Sequence, residues 1–155
     1  MVATTEAVAE QMFRKYKKQF IKKMGSGSTT DAQLDEQGKR LFGKQYIGAY
    51  PQDQAPLGRT GRYAIVNTDV TNGPGVHWVA MYLTPKTVYA FDSFARPSAS
   101  LLKTLTKNAK GKKIKIIDSD KSDQEQFGST SICGQLCLAW LCTVQKLGVR
   151  AAIKI

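Results

Sequence analysis

Four side chains in this sequence could together perform nucleophilic chemistry: those of His77, Asp92, Gln126 and Cys133. A thiol is a nucleophile only as the thiolate, and an adjacent imidazole lowers its pKa. A carboxylate can hold that imidazole in one orientation and one tautomer, and a side-chain amide can stabilise an oxyanion. Because His77 is the only histidine in the chain, any imidazole base must be His77.

Cys133 stands at the start of a long apolar segment, ICGQLCLAWLCTVQKLG (132–148). An apolar segment that ends at a glycine predicts a buried helix, and its first turn would favour a thiolate through the helix dipole. Cys137 and Cys142 lie deeper and are expected to be small buried hydrophobic residues. Gly134 would let a substrate backbone approach closely. A cysteine in an apolar helix is more often simply part of the core, and this alternative stays open.

His77 and Trp78 belong to a segment that predicts a strand, VHWVAMYL (76–83). Trp78 supplies an aromatic face that could cover the site. Asp92 lies at the C-terminal end of the next predicted strand, KTVYAFD, where its carboxylate could orient the imidazole. Two plainer interpretations remain: a lone histidine is often a satisfied core residue, and Asp92 could cap the turn in DSFARP.

The loop before Cys133 carries two glutamines in the segment DQEQFGSTS. Gln126 precedes the cysteine by seven residues, so its amide could form an oxyanion hole together with the backbone N–H of Cys133. Gln124 is a second candidate for the same role. Either glutamine would otherwise be an exposed loop residue.

The order of the predicted elements indicates an α+β fold in a single domain. A helix is predicted over residues 4–24, capped by Thr4 or Thr5. Apolar residues recur along it at a spacing of four: Val8, Met12, Tyr16, Phe20 and Met24. This helix could pack on the domain or stand clear as a basic arm. The sequence GSGSTT then leads into a second short helix, TTDAQLDEQGKRLFG.

The region from residue 45 to residue 75 is rich in turn residues, with one short strand at RYAIVN. The strands VHWVAMYL and KTVYAFD, separated by TPK, predict a hairpin. KKIKIID predicts a fourth strand. The buried helix from residue 132 completes the order of helices, strands and helix.

Composition excludes several classes of protein. The chain has 155 residues with 42% hydrophobic and 23% charged residues, as in globular proteins, and no apolar run approaches the roughly 18 residues of a membrane span. The N-terminal residues lack the layout of a secretory signal. Three cysteines within ten residues fit neither a disulfide framework nor, with one distant histidine, a zinc site. We expect an intracellular protein with reduced thiols and no bound metal.

The positive charge is larger than solubility requires. The formal net charge is +11 and the pI is about 9.7, and a field of this sign attracts polyanions. The charge concentrates in FRKYKKQFIKK (13–23) and LLKTLTKNAKGKKIKI (101–116). A solvated surface is the alternative. The candidate nucleic-acid residues are Lys103, Lys107, Lys110, Lys112, Lys113 and Lys115.

The order and spacing of these motifs resemble those of the adenain family, the adenovirus maturation cysteine proteases. GVHW (75–78), an acid at a strand end and Gln-x6-Cys-Gly follow in the same order, and YIGAY (46–50) and AIVNT (64–68) are similar to adenain's preceding segments. The resemblance covers roughly residues 40 to 145. The related SUMO proteases share the order, but their glutamine is usually one residue nearer the cysteine. The spacing here therefore favours the adenain branch.

The resemblance implies a papain-like or adenain-like α+β fold, with a mixed β-sheet packed against a buried central helix that carries Cys133. It implies that residues 41–155 form a cysteine protease domain and that residues 1–40 are a basic helical N-terminal extension. His77 would be the general base, Asp92 its orienting acid where adenain has Glu, and Gln126 with the Cys133 N–H the oxyanion hole. Trp78 and Gly134 would support the site.

The implied function is cleavage of viral capsid or virion precursor proteins during particle maturation, at Gly-containing sites, in a virophage or a related small DNA virus. No cofactor is implied, although adenain is stimulated by DNA and by a viral peptide. That peptide can form a disulfide bond with a cysteine upstream of the nucleophile. This chain has no cysteine between Asp92 and Cys133, so activation by that covalent route is not expected. The expected partners are capsid precursors and DNA, without a membrane. We expect a monomer in the virion and the host-cell interior, and not a secreted protein.

Two other functions remain open. One is a deubiquitinase-like or deSUMOylating isopeptidase, which would share the chemistry but act on a different substrate. The other is a non-catalytic DNA-binding protein whose histidine and cysteine are structural.

Overall fold

The computed structural model describes residues 4–58, 62–71, 73, 77–119, 124–126 and 131–155. These parts of the chain form an α+β structure with six helices and five strands. The helices are α1 (Thr5–Met24), α2 (Asp31–Phe42), α3 (Ser98–Leu101), α4 (Lys103–Gly111), α5 (Cys133–Leu147) and α6 (Val149–Ala152). The strands are β1 (Tyr46–Pro51), β2 (Arg62–Asn67), β3 (Trp78–Leu83), β4 (Thr87–Phe91) and β5 (Lys115–Asp118).

The five strands form one mixed sheet in the order β1-β2-β3-β4-β5. The pairs β1–β2 and β4–β5 are parallel, whereas β2–β3 and β3–β4 are antiparallel. The predicted hairpin of β3 and β4 is confirmed, with Leu83 opposite Val88. Because β3 alone runs in the opposite direction, it begins at the end of the sheet where the other four strands finish. Residues that flank these termini are therefore brought close together.

Both faces of the sheet are buried, which explains why its strands are almost continuously apolar. On β2, Ile65 belongs to one cluster of buried residues, and its neighbours Ala64 and Val66 belong to the other. The first cluster joins the sheet to α1 and α5. The second joins it to α4 through Leu105 and Ala109. The protein therefore has three layers, with the sheet in the middle.

Helix α1 packs on the domain and is not a free arm. Ala9, Phe13 and Phe20 are buried in the same cluster as α5. The Phe13 ring meets the Phe91 ring edge-on at 5.7 Å, and Phe91 stacks on Trp140 at 5.6 Å. The predicted division at residue 40 therefore does not coincide with a boundary between hydrophobic cores.

The buried face of α1 differs from the predicted stripe at its start. Ala9 and Phe13 are buried, whereas Val8 and Met12 are only partly buried. With 3.6 residues per turn, a strict spacing of four drifts around the helix by about 40° per step. The buried residues of a straight helix that packs along its whole length must therefore follow one another at mixed spacings of three and four.

Three elements were not predicted from the sequence: β1, the α3–α4 segment and α6. β1 lies in the region interpreted as turns, and it is a strand because it pairs in parallel with β2, with a register shift between Tyr46 and Gly48. Helix α4 lies in the stretch interpreted only as a source of charge. Its lysines are exposed, while Leu105 and Ala109 are buried against the sheet.

No helix in the described residues combines the length and the apolar character that a membrane crossing requires.

Helix α2 and strand β1 approach each other closely at Gly38. A Cβ at Gly38 would lie 2.3 Å from Cε1 of Tyr46 and 2.5 Å from its Cδ1. Asp35 stabilises the same contact, since its Oδ1 accepts hydrogen bonds from Tyr46 Oη and from the Ala49 N–H, both at 2.9 Å. Glycine is therefore required at position 38 for β1 to reach α2.

We expect Gly38→Ala to lower the free energy of unfolding by about 1–3 kcal/mol, the usual cost of overpacking. Urea denaturation would measure the loss. The matched control is Gly111→Ala, because a Cβ there meets no atom within 4 Å and alanine is the better helix former. Equal effects of the two substitutions would contradict the close packing of α2 on β1.

Candidate active site

The four candidate residues meet at the end of the sheet where β3 begins. His77 immediately precedes β3, Asp92 immediately follows β4, and Cys133 is the first residue of α5. His77, Gln126 and Cys133 line a cavity of about 690 Å³. Asp92 lies behind His77 and is buried. Residues separated by 56 positions in the sequence thus form one site.

The imidazole of His77 lies between a carboxylate and the thiol. Its Nε2 is 2.5 Å from Oδ1 of Asp92, and the His77 side chain also hydrogen bonds to Cys133. Because Asp92 occupies Nε2, Nδ1 is the ring nitrogen left for the sulfur. Only 7% of His77 is exposed, so the imidazole is held in place and shielded from water.

Asp92 is held by groups on two sides. Arg96 donates from Nε to Oδ2 at 2.9 Å and from its backbone N–H to the same oxygen at 3.0 Å. Burial would raise the pKa of Asp92, but the hydrogen bonds of His77 and Arg96 outweigh it and lower the pKa to about 2. Asp92 therefore stays ionised at neutral pH and can stabilise a positive charge on His77.

The charges in the site favour a thiolate–imidazolium pair. Burial would raise the pKa of Cys133, but hydrogen bonds from His77 and from the backbone N–H groups of Trp78 and Gly134 lower it overall. Burial would lower the pKa of His77, but its hydrogen bonds to Asp92 and Cys133 raise it overall. The two shifts are opposite in direction, and both favour the proton on the imidazole.

The other two cysteines have the environment expected from the sequence. Cys137 and Cys142 are buried. Burial raises the pKa of Cys137 well above its usual value. Burial also raises the pKa of Cys142 to about 12, although Arg40 acts in the opposite direction. Both thiols therefore stay protonated, and Cys133 alone among the three has a lowered pKa.

The two glutamines occupy different positions. Gln126 is 2% exposed and lines the cavity, and its Oε1 accepts a hydrogen bond from Ser93 Oγ at 2.6 Å. Gln124 instead donates from Nε2 to the backbone carbonyl of Gln126 at 2.6 Å. Gln126 therefore faces the site, whereas Gln124 braces the chain beside it.

Trp78 and Gly134 support the site in ways that the sequence did not indicate. Trp78 lines the cavity and donates from Nε1 to the Thr29 carbonyl at 3.1 Å, but the ring that meets His77 is Phe94, at 5.4 Å. A Cβ at Gly134 would lie 2.0 Å from Thr29 Oγ1. Thr29, and not a substrate backbone, therefore occupies the space beside Gly134.

The loop between α1 and α2 forms one wall of the cavity, which no local pattern indicated. Residues 28–31 line the cavity beside Cys133. Gln135 holds this loop by donating from Nε2 to the carbonyls of Gly25 at 2.8 Å and Gly27 at 2.9 Å. Sequence reasoning also missed Ser93, Phe94 and Arg96, although all three directly follow Asp92 in the segment DSFAR.

The six candidate nucleic-acid residues lie apart from this cavity. All are exposed, on α4, on β5 or on the turn that joins them, and none is among the described residues that line the cavity. In the described parts of the chain, no three His, Cys, Asp or Glu side chains are grouped so that they could hold a metal ion.

Comparison with protein-family models and with curated proteins finds no match to this sequence.

We expect iodoacetamide at about pH 6 to alkylate Cys133 far faster than Cys137 or Cys142, because Cys133 alone has thiolate character there. Mass spectrometry of the folded protein would measure the three rates. In His77→Gln, the pH dependence of Cys133 labelling should move toward that of an ordinary thiol, while Cys142→Ser should leave it unchanged. Equal labelling of all three cysteines would contradict the assignment.

Proposed function

We propose that this protein is a cysteine endopeptidase of the papain-like, adenain-like type that cleaves viral capsid or virion precursor proteins. One observation carries the proposal: a thiol with a lowered pKa lies at a helix N-terminus and hydrogen bonds to a histidine held by a buried, ionised aspartate. Thiol proteases activate their nucleophile in this way. Gln126, which lines the same cavity, would supply the side-chain amide of an oxyanion hole.

Each residue has a defined role in the proposed mechanism. The Cys133 thiolate attacks the scissile carbonyl carbon, a C–S bond forms, and the carbonyl π electrons move to oxygen. The Gln126 amide and the Cys133 backbone N–H stabilise that oxyanion. Protonated His77 gives its proton to the leaving amine as the C–N bond breaks. Water, deprotonated by His77, then hydrolyses the thioester and releases the free thiolate and a carboxylic acid.

The shape of the cavity supports a peptide substrate. The cavity extends from the ends of β1 and β2, at Tyr50 and Asn67, to Phe94 and Arg96 after β4. Four neighbouring strands at about 4.8 Å spacing span about 14 Å, which an extended peptide covers with about four residues. The proposed preference for Gly-containing sites comes from the adenain resemblance.

We expect the protein to cut a subset of sequences in a peptide library derived from the capsid proteins of virophages and related small DNA viruses, with new termini mapped by mass spectrometry. Cys133→Ala should abolish cleavage, because removing the nucleophile removes the covalent step. The matched control Cys137→Ala should retain it if the protein stays folded. Cleavage of ubiquitin or SUMO fusions in preference to these peptides would indicate an isopeptidase instead. A folded protein whose Cys133 reacts with no peptide vinyl sulfone would be non-catalytic.

DNA binding is a second proposed property, and one observation favours it. Six lysines are exposed within 13 residues on α4, β5 and the turn between them. Lys110, Lys113 and Lys115 line a second cavity of about 490 Å³. Lysines that neutralise the phosphates of DNA release the counterions condensed on it, and this release favours binding. DNA could then concentrate the protease and its precursors within a particle.

We expect the logarithm of DNA affinity to fall linearly with the logarithm of salt concentration, by about 0.9 for each phosphate neutralised. Fluorescence anisotropy with short duplex DNA would measure the slope. Changing all six lysines to Gln should flatten it, while changing Lys15, Lys18, Lys22 and Lys23 of α1 tests the other basic stretch. Substitution is preferable to deleting α1, because Phe13 and Phe20 belong to the core. Screening is weak at about 50 mM salt. If no DNA binding is measured there, the exposed lysines form only a solvated surface.

A further inference from the structure

Ser93 is a buried serine that hydrogen bonds to the segment that carries Gln126, the oxyanion-hole candidate. It is 1% exposed and directly follows Asp92 in the sequence. Its Oγ donates to Oε1 of Gln126 at 2.6 Å. Its carbonyl oxygen accepts hydrogen bonds from the backbone N–H groups of Glu125 at 2.9 Å and of Gln126 at 2.8 Å. Ser93 thus holds both the backbone and the side chain of Gln126.

The side-chain contact determines which end of the Gln126 amide can serve an oxyanion. The two ends of a glutamine amide have nearly the same shape, but one donates hydrogen bonds and the other accepts them. An oxyanion is stabilised by N–H groups and repelled by a carbonyl oxygen. With Oε1 directed at Ser93, the donor end of the amide is Nε2, which carries two N–H groups. Removing the hydroxyl would take this hydrogen bond from Oε1 and weaken the preference for this orientation of the amide.

The turn after β4 connects this arrangement to the base. The Ala95 N–H donates to the Asp92 carbonyl at 2.8 Å, and the Asp92 side chain points to His77. The next residue, Ser93, points to Gln126. Two consecutive residues of one turn therefore hold the proton-transfer group and the amide that faces the cavity.

We propose that Ser93 is a positioning residue of the active site, which orients the Gln126 amide so that its N–H groups face the oxyanion formed on a peptide substrate. This inference rests on the proposed protease function and extends it to a residue that does not touch the substrate. Ser93 is not among the described residues that line the cavity, and in this proposal it acts through Gln126.

The test compares Ser93→Ala, Gln126→Ala and the double variant in the full-length protein. The matched control is Ser98→Ala, because Ser98 is also buried and also donates its hydroxyl to a side chain. Its partner Asp118, unlike Gln126, is not among the described residues that line the active-site cavity. Three quantities are measured: kcat and KM on a fluorogenic peptide amide ending in Gly-Gly, inhibition by a peptide aldehyde ending in glycinal, and the pH dependence of Cys133 alkylation by iodoacetamide.

We expect Ser93→Ala to lower kcat about tenfold with little change in KM, as befits one hydrogen bond that acts on the transition state. Gln126→Ala should lower kcat about 100-fold, and the double variant should be no slower than Gln126→Ala. Aldehyde binding, which forms a tetrahedral oxyanion, should weaken in parallel with kcat. Cys133 alkylation should keep its pH dependence in every variant, and Ser98→Ala should keep the kcat of the unmodified protein.

Three results would overturn the proposal: additive losses in the double variant, a kcat loss in Ser98→Ala equal to that in Ser93→Ala, or a shifted alkylation profile in Ser93→Ala. If Ser93→Ala does not fold, the nearly isosteric Ser93→Cys replaces it, and its weaker S–H donor should still lower kcat severalfold; an unchanged kcat would contradict the role. Failure of the protease proposal looks different, because the unmodified protein would then show neither selective Cys133 alkylation nor peptide cleavage.

Discussion

Residues 134–144 of α5 are all buried, and covering them requires elements from both ends of the chain. The sheet covers one side, α1 and α2 cover others, and α6 folds back so that the Ala152 carbonyl accepts a hydrogen bond from Trp140 at 2.9 Å. Burial of this much apolar surface is the dominant favourable term in folding. The same burial directs the N-terminus of α5, and with it Cys133, to the end of the sheet where His77 and Asp92 lie.

Asp92 places a charge beside this apolar centre, and that charge is balanced by its partners. A lone ionised carboxylate in a buried position would be costly, but each oxygen of Asp92 has a cationic partner. His77 lies against Oδ1 and Arg96 against Oδ2. Arg96 remains partly exposed and rests over the Phe94 ring at 5.0 Å. The contacts that stabilise the ionised Asp92 carboxylate also hold the His77 ring in one orientation. The same contacts therefore prepare the imidazole for proton transfer.

The site is assembled from segments that are distant in sequence, and each has a structural role as well. The loop 25–30 closes one side of the cavity, while its carbonyls accept hydrogen bonds from Nε2 of the buried Gln135. Trp78 connects the start of β3 to the same loop. Stability and the proposed activity therefore depend on shared contacts. The N-terminal helices are therefore part of the site's support.

The sequence by itself determined the elements with a strong local pattern and the residue types of the site. The apolar helix from Cys133, the hairpin of β3 and β4, and the order His77, Asp92, Gln126, Cys133 were all readable, because periodicity, burial preference and side-chain chemistry are properties of short segments. Only the tertiary structure decided that β1 is a strand, since its hydrogen bonds are to β2. Only the tertiary structure placed Thr29 beside Gly134, Arg96 on Asp92 and Ser93 on Gln126. Those contacts depend on distances between segments that are far apart in sequence. Packing of the core sets these distances, and the pattern of residues along one segment does not show them.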